Sequence, residues 1–263
     1  MKLGWLKPLA RVAIRTNVGR RFLAFGAEVD PYPFMQVLAR KLREHSSHFP
    51  DARFQFDRIR GFEDLVWLFT CNYMSRGIIA QDLDEAAYIY RLVCSLSSAR
   101  CLEIGRYRGG STFLVAAGLD EGSRLISIDK HVKLETVSEG PRLDEQLAEA
   151  LHRFGMRERV DLVVADSVEV PSKPESFDLV LIDGDHSYLG VSSDYHHWKA
   201  SVKIGGHLLF HDAACSRPYA TGDPDGPVRL VKEIESRDLQ FRKVAEVASL
   251  VHFVRTDVPF SRP

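Results

Sequence analysis

From Arg100 onward the chain alternates short apolar runs with stretches of helical spacing. The runs Cys101–Ile104, Leu125–Ile128, Val160–Val164, Leu179–Ile182 and His207–Phe210 predict buried strands, each followed by enough chain for a helical crossover. Two more runs, Arg242–Val247 and Leu250–Val254, follow a helix predicted near Val228–Glu235 and stand only two residues apart. A parallel crossover needs a dozen residues or so, which leaves an antiparallel hairpin for this pair. Ahead of the sheet, Leu83, Ala86, Ile89, Val93 and Leu96 recur on one face behind Asp82 as a cap, predicting a helix over Leu83–Leu96. The expected fold class is therefore α/β: a doubly wound sheet of seven strands, mostly parallel, ending in a hairpin.

The segment before that helix has no comparable order. Residues 31–80 are rich in aromatics (Phe34, Phe49, Phe54, Phe56, Phe62, Trp67, Phe69, Tyr73) without a period. We divide the chain into an N-terminal helical and aromatic extension or cap, 1–80, and an α/β domain, 81–263. The first 26 residues carry six cations, Lys2, Lys7, Arg11, Arg15, Arg20 and Arg21, and no acid. Lys7, Arg11 and Arg15 share a helical face, which allows peripheral contact with an anionic membrane. Pro8 and Gly19 interrupt the apolar stripe and favour packing against the protein's own domain instead.

Composition narrows the classes further. With 263 residues, 45% of them hydrophobic, the chain can bury a large core. Its 35 Lys and Arg against 36 Asp and Glu leave a formal charge of −1, so nucleic acid is not an expected partner. Cys71, Cys94, Cys101 and Cys215 form no C-x-x-C pair and read as reduced thiols of a cytoplasmic protein. No apolar run approaches the roughly 18 residues of a membrane span.

Candidate chemistry gathers where the predicted strands end. The first ends at Glu103-Ile104-Gly105, the second at Asp129 and the third at Asp166-Ser167. The fourth ends at Asp183-Gly184-Asp185-His186 and the fifth at His211-Asp212. In doubly wound sheets ligands bind at this edge. The glycines after the first strand fall as G-x-x-x-G-G rather than G-x-G-x-x-G, and Glu103 precedes them. A carboxylate there repels a dinucleotide's diphosphate and suits a ligand with cationic groups, such as the sulfonium and amino group of S-adenosylmethionine. Gly105 and Gly109 allow close backbone approach, Ser111 can cap the following helix or bond the ligand's carboxylate, and Asp129 is spaced to accept from ribose hydroxyls. Asp183, Asp185 and Asp212 would repel one another unless a cation, a proton or a base intervenes.

The ordered motifs E-I-G-x-Y-x-G-G-S-T, S-I-D, R-V-D-L-V-V-A-D-S, F-D-L-V-L-I-D-G-D-H-S-Y and G-G-H-L-L-F-H-D cover about residues 82–255. Together they resemble the cation-dependent O-methyltransferases among the class I S-adenosylmethionine-dependent enzymes, which share a Rossmann-like fold. The macrocin and sugar O-methyltransferase type is nearest, with the catechol and caffeoyl-coenzyme A enzymes more distant. The resemblance implies that Glu103, Gly105, Tyr107, Gly109 and Ser111 hold the methionine part of the cofactor, Asp129 the ribose, and Asp166 with Ser167 the adenine. It also implies a divalent cation, Mg or Mn, on Asp183, His211 and Asp212, with His211 standing where plainer members carry an acid. An imidazole there is a softer ligand, which either shifts preference from magnesium toward manganese, iron or zinc or means that His211 is no ligand at all. Asp183 and His186 become catalytic candidates: His186 stands where catechol-type enzymes have a catalytic lysine and can take the substrate proton. The other reading of His186 is a helix cap beside Tyr188.

The implied acceptor is a hydroxyl on a small molecule, a sugar or diol-like natural product. Two other readings stand beside this one: a methyltransferase-like binding module without chemistry, and a nicotinamide-dependent oxidoreductase, which the glycine spacing and the hairpin disfavour. His196 and His197 receive no role, Trp198 is assigned to the core, and the loop Ser216–Pro227 reads equally as a lid or a plain surface loop. Self-association into a homo-oligomer stays open.

Overall fold

The structure, a computed structural model, describes residues 58–62, 65, 81, 83–131, 140–214 and 226–257. The basic N-terminus, most of the aromatic extension and residues 216–225 of the expected loop lie outside the described residues. The described residues fall into two compact units: one draws on Cys94–Tyr107, the described part of 119–142 and the described residues from Glu158 onward, the other on the described residues up to Val93, Arg108–Gly118 and Leu143–Arg157.

The first unit is built on a seven-stranded sheet: β1 (Arg100–Ile104), β2 (Arg124–Asp129), β3 (Val160–Val164), β4 (Phe177–Ile182), β5 (Val202–Phe210), β6 (Phe241–Val247) and β7 (Leu250–Arg255). Their order is β3-β2-β1-β4-β5-β7-β6. The first five pair in parallel, while β7 runs antiparallel to both β5 and β6. Strand order thus reverses between β1 and β4, which is where such sheets open a ligand crevice. Ile104 pairs with both Ile128 and Ile182, and Ile182 with Phe210, so β1, β2, β4 and β5 all end at one level. That register brings the polar strand ends to a common edge.

Every predicted strand is present, as are the hairpin and the helix before it. The largest boundary difference is β5, which begins at Val202 rather than near His207. The Gly205-Gly206 pair lies just ahead of the expected start. In the structure Gly205 has φ +78 and the β4–β5 register shifts between Phe177 and Leu179, so an irregularity in the ladder absorbs the glycines without ending the strand. Strand β6 is one edge of the sheet, and its alternation of buried and more exposed residues follows from having one covered face.

Five α-helices complete the described structure: α1 (Leu83–Cys94), α2 (Gly110–Gly118), α3 (Gly140–Arg153), α4 (Tyr188–Trp198) and α5 (Gly226–Arg237). Helices α4 and α5 belong to the sheet unit. Val191, Tyr195 and Trp198 of α4 join Leu230, Val231 and Ile234 of α5 in a core with Phe177, Phe210, Phe241 and Phe253. In the other unit α2 is buried from Gly110 to Ala116, and Phe113 meets Phe154 edge to face at 5.5 Å. Among the described residues no helix is long and apolar enough to cross a membrane.

Candidate functional site

The turn after β1 is pressed against the end of β4. A Cβ on Gly105 (φ +84) would lie 2.2 Å from the carbonyl oxygen of Asp183 and 2.5 Å from Cα of Gly184. Only glycine fits there. The Gly105 N–H donates to Ile128 O at 2.8 Å, and the Asp183 N–H donates to Ile104 O at 2.8 Å, which extends the ladders into the loops.

Asp129, at the end of β2, organises this turn with its side chain. Its Oδ2 accepts from the backbone N–H of Arg106 at 2.9 Å and of Tyr107 at 3.0 Å, and its Oδ1 from that of His131 at 2.6 Å. Those contacts hold Tyr107 in a left-handed conformation (φ 46), and the residue is 54% exposed. A carboxylate offers about four acceptor sites, so Asp129 keeps capacity for a ribose hydroxyl. Glu103, expected to face cationic groups of a ligand, is 0% exposed and accepts from Ser127 Oγ at 2.6 Å. Gly109 and Ser111 belong to the other unit. Gly109 (φ +82) abuts Leu147 of α3, and α2 begins at Gly110, so Ser111 is the second helical residue rather than a cap ahead of the helix.

Sequence reasoning missed Arg106. It is 2% exposed, yet its guanidinium donates to Ser127 O and Val163 O, both at 2.9 Å, and lies 3.3 Å from His131 Nε2. A buried cation satisfied by strand-end carbonyls ties the turn to β2 and β3. Nothing in its spacing separates it from a solvated arginine. Asp194 was missed too, although a signal existed: it shares a helical face with Val191, Tyr195 and Trp198, and an acid on an apolar face asks for a partner. The partner is the hydroxyl of Ser167, which donates to Asp194 Oδ1. Burial pushes the Asp194 carboxyl up, against the opposing effect of that hydrogen bond. The Asp166 side chain accepts from Val168 N and meets Lys130 Nζ at 3.4 Å, so both adenine candidates shape the turn after β3.

At the ends of β4 and β5 the structure gathers Asp183, His186, His211 and Asp212. His211 Nδ1 lies 3.1 Å from Asp183 Oδ1 and 3.3 Å from Asp212 Oδ2. His186 Nε2 lies 3.5 Å and 3.8 Å from the same two atoms. Burial raises the Asp183 pKa, but the charge of His211 and hydrogen bonds from both imidazoles outweigh it, bringing the carboxyl down to about 2. The Asp183 hydrogen bond raises His186 against its own burial. Backbone shape supports the group: Asp212 adopts φ 51, and Gly226, first residue of α5, comes so close that a Cβ would lie 2.1 Å from His186 O.

One expectation about this loop is corrected, and of the two readings of His186 the helix cap falls away. Asp185 does not join the other acids; it is exposed and accepts from Ser187 N at 2.8 Å in a local turn. The cap of α4 is Ser187, which accepts from Gly190 N at 3.1 Å, and not His186. One ligand atom each from Asp183, His186 and Asp212 all lie within 4.8 Å of one another, a span that one divalent ion can bridge. His196 is exposed, His197 Nε2 lies 2.8 Å from Val170 O, and Trp198 is core, as expected.

Residues 102–213 match a family described as a methyltransferase domain. Caffeoyl-CoA O-methyltransferase 2 of Petunia hybrida is 26% identical over 156 residues, 58% of this chain and 61% of that protein. Tricin synthase 1 of Oryza sativa subsp. japonica is 24% identical over 180 residues, 65% of this chain and 68% of that protein. The match thus spans about six tenths of the Petunia protein's length. Among solved structures, the O-methyltransferase TomG of Streptomyces achromogenes, in complex with S-adenosylmethionine, shares the fold with TM-score 0.54 at 14% identity, covering 83% of this chain and 98% of that one. A putative O-methyltransferase of Klebsiella pneumoniae does so with TM-score 0.53 at 19% identity, covering 68% and 84%. Residues 102–213 thus carry a methyltransferase domain, and the chain is similar over its α/β part to S-adenosylmethionine-dependent O-methyltransferases, the caffeoyl-CoA enzymes among them.

Proposed function

We propose that this protein transfers the methyl group of S-adenosylmethionine to a hydroxyl oxygen of a small molecule, a sugar or diol-like compound, with a divalent cation beside the acceptor. The observation that carries the reading is the contact of Gly105 with Asp183 and Gly184, which sets the four-residue cluster directly beside the glycine turn. Methyl transfer needs the acceptor oxygen aligned with the sulfonium carbon, and such adjacency supplies alignment. The relatives' names, caffeoyl-CoA O-methyltransferase above all, support an oxygen acceptor.

In this reading Gly105 and Tyr107 would lie beside the methionine part of the cofactor, Asp129 toward the ribose, and Asp166 and Ser167 toward the adenine. At the cluster, Asp183, His186 and Asp212 lie close enough to share a divalent ion, and His211 Nδ1 stands 3.1 Å and 3.3 Å from the same carboxylates, so two carboxylates with an imidazole make a fitting donor set. Bound by Asp183, His211 and Asp212, it would orient the acceptor and lower its hydroxyl pKa. Asp183, held ionised by its histidine partners, keeps negative charge in place at neutral pH. His186, the more exposed imidazole, takes the acceptor's proton as the new O–C bond forms, the C–S bond breaks and the sulfur leaves as a neutral thioether.

The test is calorimetric titration of the full chain with S-adenosylmethionine, followed by methyl transfer to a panel of vicinal diols with and without chelator. Cofactor binding together with chelator-sensitive transfer is the expected result. Binding of NAD without binding of S-adenosylmethionine would sink the reading. Chelator-resistant transfer would remove the cation from it, and cofactor binding without transfer to any diol would favour a binding module.

A further inference from the structure

The two imidazoles of the cluster are not equivalent. His211 has a side chain 11% exposed, against 22% for His186. It continues β5, its N–H donating to Ile182 O at 3.2 Å, whereas His186 sits in the loop before α4. Metal–donor bonds of about 2.1 Å, meeting at roughly 90° to 110°, separate neighbouring donors by about 3.0–3.4 Å. His211 Nδ1 meets that spacing with both carboxylates, at 3.1 Å and 3.3 Å. His186 Nε2 is farther from both, at 3.5 Å and 3.8 Å, though still within 4.8 Å of them.

We infer that the ion of the proposed reaction is a late first-row transition ion of the Fe(II), Co(II) or Zn(II) class rather than Mg(II), held by Asp183 Oδ1, His211 Nδ1 and Asp212 Oδ2. His186 is not assigned to the ion. The inference rests on the cation-assisted reading above and adds the ion's identity to it. The reason is donor chemistry. Mg(II) takes oxygen ligands and keeps its waters, while an imidazole nitrogen in a rigid position is a preferred donor for the later ions. The competing occupant is a proton on His211, which fits the same distances.

The experiment titrates the full-length protein with Mg(II), Co(II) and Zn(II) by calorimetry and records the visible ligand-field spectrum of the Co(II) form. We expect Co(II) and Zn(II) to bind on the order of tenfold or more tighter than Mg(II). His211→Asp, which makes the set all-oxygen, should shrink that ratio and change the Co(II) spectrum, while His186→Gln leaves both near wild type. His211→Gln serves as a second variant, and melting temperature and S-adenosylmethionine affinity check that each variant folds. Mg(II) binding as tightly as Co(II) would overturn the inference alone. Loss of the Co(II) spectrum in His186→Gln, with His211→Asp unaffected, would overturn the assignment of the nitrogen ligand. No response to any ion in a protein that still binds S-adenosylmethionine would overturn both the inference and the cation in the proposed function, leaving methyl transfer itself standing.

Discussion

Two places in the sheet unit bring histidines together, and they treat the imidazole in opposite ways. At the strand ends, His186 and His211 lie against Asp183 and Asp212, and the Asp183 hydrogen bond raises His186. Within the sheet, His207 of β5 and His252 of β7 meet at 3.0 Å between Nδ1 and Nε2 as diagonal neighbours across the ladder. There burial pushes His252 down to about 3, helped by the charge of His207, and burial lowers His207 as well. The residue type is the same; the company differs. Carboxylates at an open edge favour the charged ring, whereas the sheet interior admits only neutral rings that share one hydrogen bond. A histidine is a candidate for chemistry or for packing according to which neighbours the fold supplies.

Removing the acids should abolish the difference at its functional end. Asp183→Ala is expected to lower methyl transfer by about 10³-fold, near 4 kcal/mol in the barrier, because the cluster loses its ionised anchor. Initial rates at saturating S-adenosylmethionine measure this, and a change under tenfold would separate the cluster from the chemistry.

The interior pair should show itself as acid sensitivity of the fold. His252 binds its proton at about 3 in the folded chain and near 6.5 when unfolded, so between those values the unfolded state holds more protons. Stability is complete above the unfolded value and declines as pH falls toward the folded one, at up to about 1.4 kcal/mol per pH unit and a few kcal/mol in all. Denaturant melts from pH 7 to pH 4 should show this slope, and His252→Asn should flatten it.

A smaller effect separates the two regions through the backbone. Gly105→Ala forces a Cβ into the carbonyl of Asp183, at a cost of roughly 1–3 kcal/mol. It should weaken S-adenosylmethionine binding and disturb the acid-paired histidines while leaving the acid slope of the interior pair intact. Equal loss in both would mean that the glycine serves the whole sheet. The smallest effect belongs to His196, exposed on α4: His196→Ala should stay within about 0.5 kcal/mol of wild type in stability and leave the rate unchanged.

Much of this was legible along the chain. Apolar runs bounded by polar residues marked every strand, and the two-residue gap before Leu250 marked the hairpin. Polar strand ends pointed to Asp129, Asp183, His211 and Asp212, because residues just past a buried strand have no packing reason to be acids. Arg106 escaped notice because a buried arginine and a solvated one look alike until the carbonyls of Ser127 and Val163 converge on it. Asp185 was overcounted for the reverse reason: spacing placed it beside Asp183, but a local turn to Ser187 satisfies it first.

The sequence by itself therefore determined the order of elements, the parallel sheet with its hairpin and the chemistry gathered at its carboxyl edge, since these follow from periodicity and chain length between turns. Only the tertiary structure decided which acids share a site, which imidazole meets both carboxylates at bonding distance and which histidines are locked neutral in the sheet. Those outcomes depend on distances of a few ångströms between residues far apart in the chain, and on the solvent each position loses when the strands assemble.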